Sequence, residues 1–154
     1  MQRPETRIDV SVPEQELTLF IDGRIAATFQ ISTSKFGLGS TEDTNCTPLG
    51  AFQIKEKIGG DQPIRTIFRS RLPEGSWDPD DLVDDDLVLS RILWLDGVEP
   101  ENANTYDRYI YIHGTNQEDL IGQPASHGCV RMRNADMVEL YDLVDSQTLV
   151  FIDS

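Results

Sequence analysis

His113, His127 and Cys129 lie within one short stretch of a chain that holds only two histidines and two cysteines. A thiol reacts as its thiolate, and an ordinary pKa of about 8.5 leaves little thiolate at neutral pH. An imidazole beside it takes the proton or pairs with the anion. If Ser126-His127-Gly128-Cys129 is extended, His127 and Cys129 share a face, because strand side chains alternate. Gly128 then has no side chain to block a ligand lying against the backbone. His113 closes an earlier strand pattern, and the residues between suffice for a loop that returns a neighbouring strand alongside it. His113 can therefore reach Cys129 from the side. Its other ring nitrogen needs a partner to fix the tautomer, and no Asp or Asn stands directly beside it, so a backbone carbonyl is expected there. The N–H groups of Gly128 and Cys129 are the expected donors to a developing oxyanion. The same residues admit a second chemistry. His113, His127, Cys129 and Cys46 are four ligands of the types zinc takes, which makes a non-enzymatic zinc-binding β domain the alternative.

Several elements must position these residues. Residues 7–12 alternate apolar and polar at the strand period, and 16–21 do so again. Asp22-Gly23 is a hairpin signal, and 24–33 read as the return strand. Residues 33–50 are rich in Gly, Ser, Thr and Asn and read as a loop. That loop ends in Thr47-Pro48-Leu49-Gly50, where Pro48 suits the second position of a tight turn and Gly50 the last. Strands are expected at 51–58, 87–95, 108–114 and 148–152, with 59–86 irregular. One helix is expected: after Asn134 as N-cap, Met137, Leu140, Tyr141 and Val144 recur at helical spacing, with Asp136 in the first turn. The fold class read from this order is mainly β (α+β) with one packed helix near the C-terminus, as a single domain over 1–154.

Composition narrows the partners. The formal charge is −14, from 13 Lys plus Arg against 27 Asp plus Glu, which repels phosphate backbones and anionic membrane surfaces. Neither nucleic acid nor membrane is expected as a partner. Asp78, Asp80, Asp81, Asp84, Asp85 and Asp86 crowd into one stretch that reads as a solvated loop or short helix start. It lacks the central Gly of a calcium loop. No apolar run approaches the roughly 20 residues of a membrane span. The first 17 residues have no apolar core of a signal peptide. A cytoplasmic location follows if the chain is complete, and a periplasmic or cell-wall location if it is a trimmed piece. Cys46 and Cys129 stand far apart without a CxxC spacing, and a disulfide between them is not expected.

The motifs go further. Ile112-His113-Gly114-Thr115 followed by Ser126-His127-Gly128-Cys129-Val130-Arg131-Met132 resembles the signature of the L,D-transpeptidase catalytic domain, also called the YkuD domain. Thr47-Pro48-Leu49-Gly50-Ala51-Phe52 is similar to that family's Thr-Pro-x-Gly-x-Phe stretch, and the likeness covers essentially the whole chain. The resemblance implies a β-sandwich with the active cysteine in a cleft under a loop. It implies Cys129 as nucleophile, His113 as base, the Gly114 carbonyl orienting His113, and His127 with the local backbone stabilising the site. Arg131 and Ser126 would lie in the substrate region. No cofactor and no metal are implied. The implied substrate is a peptidoglycan stem tetrapeptide or soluble muropeptide. The thiol attacks the carbonyl of the third, L-centred residue and expels the terminal D-Ala. Water or an amine then resolves the acyl enzyme. Because no leader is legible, the chain resembles most the small members that act as L,D-carboxypeptidases in muropeptide recycling. The alternative is L,D-transpeptidation, either cross-linking or D-amino-acid exchange. A covalent carbapenem adduct at Cys129 is also implied. Trp77 and Trp94 are candidates to line the cleft, Trp94 rather as core.

Overall fold

The computed structural model describes residues 4–41, 44–81 and 83–154. Part of the leader reading, at residues 1–3, lies outside them. Ten strands and one α-helix are described. The strands are β1 (Thr6–Ser11), β2 (Glu16–Ile21), β3 (Arg24–Ser32), β4 (Gly50–Ile58), β5 (Thr66–Arg69), β6 (Leu72–Ser76), β7 (Val88–Gly97), β8 (Tyr111–Gly114), β9 (Val130–Met132) and β10 (Leu149–Asp153). The helix α1 spans Asn134–Leu143. The strands pair in the order β4-β10-β1-β2-β3-β9-β8-β7-β5-β6, and β4 also pairs with β7. The sheet therefore returns on itself around one core, and β5–β6 stands off the β7 edge as a hairpin. Asp22 and Gly23 both have positive φ, as the two-residue β2–β3 turn requires.

Apolar alternation decides which way each strand faces. Ile8 and Val10, Leu17 and Leu19, Phe29 and Ile31, Phe52 and Ile54, and Val150 and Ile152 all point into the main core. Leu93 and Leu95 of β7, Ile112 of β8, and Val130 and Met132 of β9 join them. Met137, Leu140 and Val144, the helical stripe read from sequence, enter the same cluster, and α1 packs on β7 and β8. Ile92, Trp94 and Tyr111 face the other way. With Phe68 they form a second, smaller cluster against which Cys129 packs.

Three local readings differ from expectation. Asn134 is the first residue of α1, with Arg133 at the N-cap; Glu118 Oε2 accepts the Asn134 N–H at 2.7 Å, so an acid from another segment caps the helix. The irregular stretch 59–86 contains the β5–β6 hairpin. Its turn residues Ser70 and Arg71 both have positive φ, at 50° and 65°, without the Asn-Gly pair that advertises such a turn. The expected strand 108–114 is regular only over Tyr111–Gly114: Tyr106–Arg108 form a single helical turn, and Tyr109 is left-handed at φ 57°. Among the described residues no helix is long and apolar enough to cross a membrane.

Candidate active site

The site grows from the parallel pair β8–β9. The register sets Ile112 against Val130 and His113 against Arg131. Ile112, Val130 and Met132 bury inward, so alternation turns Tyr111, His113, Cys129 and Arg131 to the opposite face. His113 and the thiol are thus brought to one face by the register, as the sequence suggested. His127 is not carried there by extension. Gly128 has φ 123°, and regular strand begins only at Val130. His127 therefore swings outward. Its side chain is 52% exposed, with Nδ1 3.5 Å from Asp86 Oδ2 and its ring 5.7 Å from the Phe36 ring.

His113 is almost wholly buried, and its Nδ1 lies 2.5 Å from the Gly114 carbonyl oxygen. A carbonyl only accepts, so Nδ1 carries the proton and Nε2 keeps its lone pair. Gly114 has to be glycine. A Cβ there would stand 2.7 Å from the Leu89 carbonyl and against the Asn134 side chain. β7 bulges opposite this point: Leu89 pairs with Gly114 and Ile92 with His113, leaving Ser90 and Arg91 between them. Ser90 Oγ then donates to Asn134 Oδ1 at 2.7 Å, and Asn134 Nδ2 donates to the Thr115 carbonyl at 2.9 Å. The His-Gly turn is thereby fixed to the first turn of α1.

The loop before Cys129 is braced from within. Ser126 is fully buried; its Oγ donates to the Cys129 carbonyl at 2.6 Å and accepts the Gly128 N–H at 3.3 Å. Thr47, the first residue of the upstream Thr-Pro motif, donates through Oγ1 to the Gly128 carbonyl at 2.9 Å and accepts the Ser34 N–H at 2.9 Å. The expectation that Gly128 leaves its backbone open to a ligand is overturned. A Cβ there would meet the Cys46 carbonyl and Ile110 Cδ1, each at 3.4 Å. Protein backbone occupies that side, and the glycine answers to its φ.

The thiol itself donates to the Tyr109 carbonyl at 3.4 Å and accepts the Tyr111 N–H at 3.3 Å. Burial pushes its pKa up to about 12; the Tyr111 N–H and the charges of Arg131 and Arg108 work against this, and Asp86 adds to it. Burial lowers the pKa of His113, which the negative charge of Asp86 partly opposes. Both directions follow from removing a charge from water. At neutral pH Cys129 rests as the thiol and His113 as the neutral imidazole.

Arg131 is the largest fully buried side chain. Its Nη1 donates to Asp86 Oδ1 at 3.0 Å and Gln117 Oε1 at 2.6 Å, and Nη2 to Ser32 Oγ at 3.3 Å. A substrate-gripping guanidinium was expected at this position, and here it is held by protein groups on every side but Nε, which has no partner. Sequence reading missed Asp86. It was taken as one more member of a solvated acidic run, and Asp84 and Asp85 do lie exposed. Asp86 alone turns inward, because Asn116 ties the loop down by donating to the Val83 and Asp85 carbonyls and accepting the Leu87 N–H. The position just before strand β7 was the one available signal.

Asp86 also lines two cavities. One, of about 540 Å³, is bounded by Lys35, Asp84, Asp85, Gln117 and His127. The other, of about 420 Å³, lies beneath the β5–β6 hairpin beside Phe68 and Ser70. Trp94 is buried in the cluster against which Cys129 packs, stacked on Tyr106 at 4.1 Å and edge-on to Tyr111 at 5.5 Å, so it is core. Trp77 is buried. The four zinc-type ligands do not converge. Cys46 Sγ lies at the Phe36 and Thr44 carbonyls, both cysteines are free, and among the described residues no three His, Cys, Asp or Glu side chains form a metal-holding group.

Comparison with known proteins agrees with this geometry. The family model for the L,D-transpeptidase catalytic domain (YkuD) matches residues 5–152. A protein of Bacillus subtilis (strain 168) named "Putative L,D-transpeptidase YqjB" is 30% identical over 138 residues, covering 89% of this chain; the chain spans 65% of that relative's length. Among solved structures, an L,D-transpeptidase from Mycobacterium smegmatis superposes with a TM-score of 0.63 at 16% identity, over 98% of this chain and 59% of that one. L,D-transpeptidase 3 from Mycobacterium tuberculosis, solved with a faropenem-derived adduct, gives 0.61 at 16% identity over 98% and 61%.

Proposed function

The chain belongs to the L,D-transpeptidase catalytic-domain family, and from that premise we propose that residues 1–154 act as one catalytic domain, a cysteine acyl-transferase on peptidoglycan stem tetrapeptides. The observation that carries this reading is the shared face of β8–β9. His113 holds Nδ1–H on the Gly114 carbonyl and keeps Nε2 free to accept a proton, on the same face as Cys129. The thiol turns from the Tyr109 carbonyl, gives its proton to Nε2 and attacks the carbonyl carbon of the third, L-centred residue. The Gly128 N–H, spending its bond on Ser126 Oγ at a long 3.3 Å, is available to the oxyanion with the Cys129 N–H. Collapse of the tetrahedral intermediate breaks the amide bond. Imidazolium returns its proton to the departing D-Ala amine, leaving a thioester on Cys129. Water, deprotonated by His113, then releases the tripeptide, which is L,D-carboxypeptidase chemistry.

His127 and Arg131 act here through Asp86, which lies against both. Ser126 shapes the oxyanion loop. The faropenem-derived adduct on the M. tuberculosis relative, formed from a penem, supports acylation of Cys129 by a β-lactam of the penem or carbapenem kind. A second reading has its own support: the cavity lined by Asp84, Asp85 and Asp86 beside His127 is suited to a cationic amine, which would make the acceptor an amine and the reaction transpeptidation or D-amino-acid exchange. Mass spectrometry of the protein with a disaccharide tetrapeptide, with and without a D-amino acid, separates the two. Loss of D-Ala without acceptor establishes the carboxypeptidase, and exchange or dimers with little hydrolysis establish the transpeptidase. No change in either mixture, matched by Cys129→Ala, rejects both.

A further inference from the structure

We infer that Arg71, at the tip of the β5–β6 hairpin, binds the free terminal carboxylate of the donor peptide and so restricts cleavage to the bond next to a C-terminus; this rests on the acyl-transfer reading above. A peptide that loses its last residue presents a carboxylate next to the scissile bond. The carboxylate carbon is three covalent bonds from the attacked carbonyl carbon, within about 4 Å of it. The cation that recognises it must stand beside the thiol. In a chain of formal charge −14 this is a local demand, since the general field repels the substrate.

Arg131 and Arg108 are the arginines whose charge reaches Cys129, and both are spent; Arg71 stands over the Trp94 ring of the cluster against which Cys129 packs. Arg131 is fully buried on Asp86, Gln117 and Ser32. Arg108 gives Nη1 to the Gly39 carbonyl and Nη2 to the Cys46 carbonyl, tying down the loop over Gly128. Arg71 gives one N–H, from Nη1 to Tyr111 Oη at 3.2 Å, and its other guanidinium donors have no partner among the described residues. Its guanidinium carbon lies 4.9 Å above the Trp94 ring and 5.1 Å from that of Tyr109. Tyr109 and Tyr111 are the two residues whose backbone holds the thiol. Arg71 therefore lies across the groups that bind Cys129, with its fork open.

The hairpin is built to place it. Ser70 and Arg71 both occupy the left-handed region, which disfavours non-glycine residues. An arginine in a position that favours glycine, flattened on two aromatic rings, is a costly arrangement without a function. The two rings hold the guanidinium in place, and a guanidinium pairs with a carboxylate in bidentate fashion.

The test compares a stem tetrapeptide bearing a free C-terminal carboxylate with the same peptide as its C-terminal amide, on wild type, R71M and R71K. A charge-assisted pair contributes about 1.5–3 kcal/mol, so wild type should prefer the acid by about 10- to 100-fold in kcat/KM. R71M should bring the acid-to-amide ratio close to one, and R71K should restore part of it. An unchanged ratio in R71M, or equal loss on both peptides, overturns the inference while leaving the acyl-transfer reading intact. Wild type that cleaves neither peptide overturns both.

Discussion

The two faces of the β8–β9 pair share one backbone and are held together by opposite means. On the inner face Ile112, Val130 and Met132 are fully buried among aliphatic neighbours, and packing alone fixes them. On the outer face His113 and Arg131 are also withdrawn from water and Cys129 is half-buried, but each is fixed by a particular partner: Gly114, Asp86 and Tyr109. An apolar face tolerates any neighbour of the right size, whereas a buried polar face needs each partner in place. The proposed chemistry uses the face where burial is expensive. Stability comes mostly from the face where burial is favourable.

The largest expected effects separate the two faces. Cys129→Ala should abolish D-Ala release, by at least about 10⁴-fold, and leave no covalent adduct after incubation with a carbapenem. Its melting temperature should stay near that of the wild type, since only a sulfur packed beside Trp94 is lost. Ile112→Ala, one residue before His113 but on the inner face, should do the reverse. It should cost about 2–5 kcal/mol of stability in a urea titration, with turnover per folded molecule largely kept. If Ile112→Ala removed activity at full stability, the faces would not be separable as described.

Ionisation sharpens the contrast, because only the outer face titrates. The folded-state pKa of His113 is lowered below the ordinary imidazole value, so the unfolded chain binds the proton more tightly. The stability linked to His113 is present above about pH 6.5 and is lost as pH falls through the depressed value. For Cys129 the sign is opposite. Its folded pKa is raised to about 12, so that contribution is present below the ordinary thiol pKa and is lost as pH rises toward 12. Melting temperature against pH for wild type and Cys129→Ala should run together at neutral pH and separate in alkali, with wild type falling below the variant. A constant offset across that range would deny that the buried thiol resists ionisation. Activity should likewise keep its acid limb below about 6.5, where His113 gains its proton.

The inner face was legible in sequence, and so was the placing of His113 and Cys129 on the opposite face, because both rest on alternation. Strands β1 to β4, β7 and β10 and the helix emerged from their periods within a few residues. Chain path hid the rest. The β5–β6 hairpin turns on Ser70-Arg71, which carries no turn signature. Gly128 breaks the extension that would have set His127 beside the thiol. Asp86 is one acid among many until Asn116 folds its loop inward. Arg131 reads from the motif as a substrate-binding side chain; only the tertiary partners Asp86, Gln117 and Ser32 show it buried among protein groups.

The smallest expected effect tests whether Ser126 serves the backbone or the substrate. Its hydroxyl is fully buried and saturated by the Cys129 carbonyl and the Gly128 N–H, so it has nothing left to offer a peptide. Ser126→Ala leaves that carbonyl and that N–H unpaired, a loss of about 1–1.5 kcal/mol. The oxyanion loop then relaxes, and kcat should fall by roughly tenfold with KM little changed, since the substrate loses no contact. If KM rose instead while kcat held, Ser126 would touch the peptide, as the sequence motif suggested. The hydroxyl would then have to turn away from Cys129 on binding, and the rigid outer face would be a property of the resting enzyme alone.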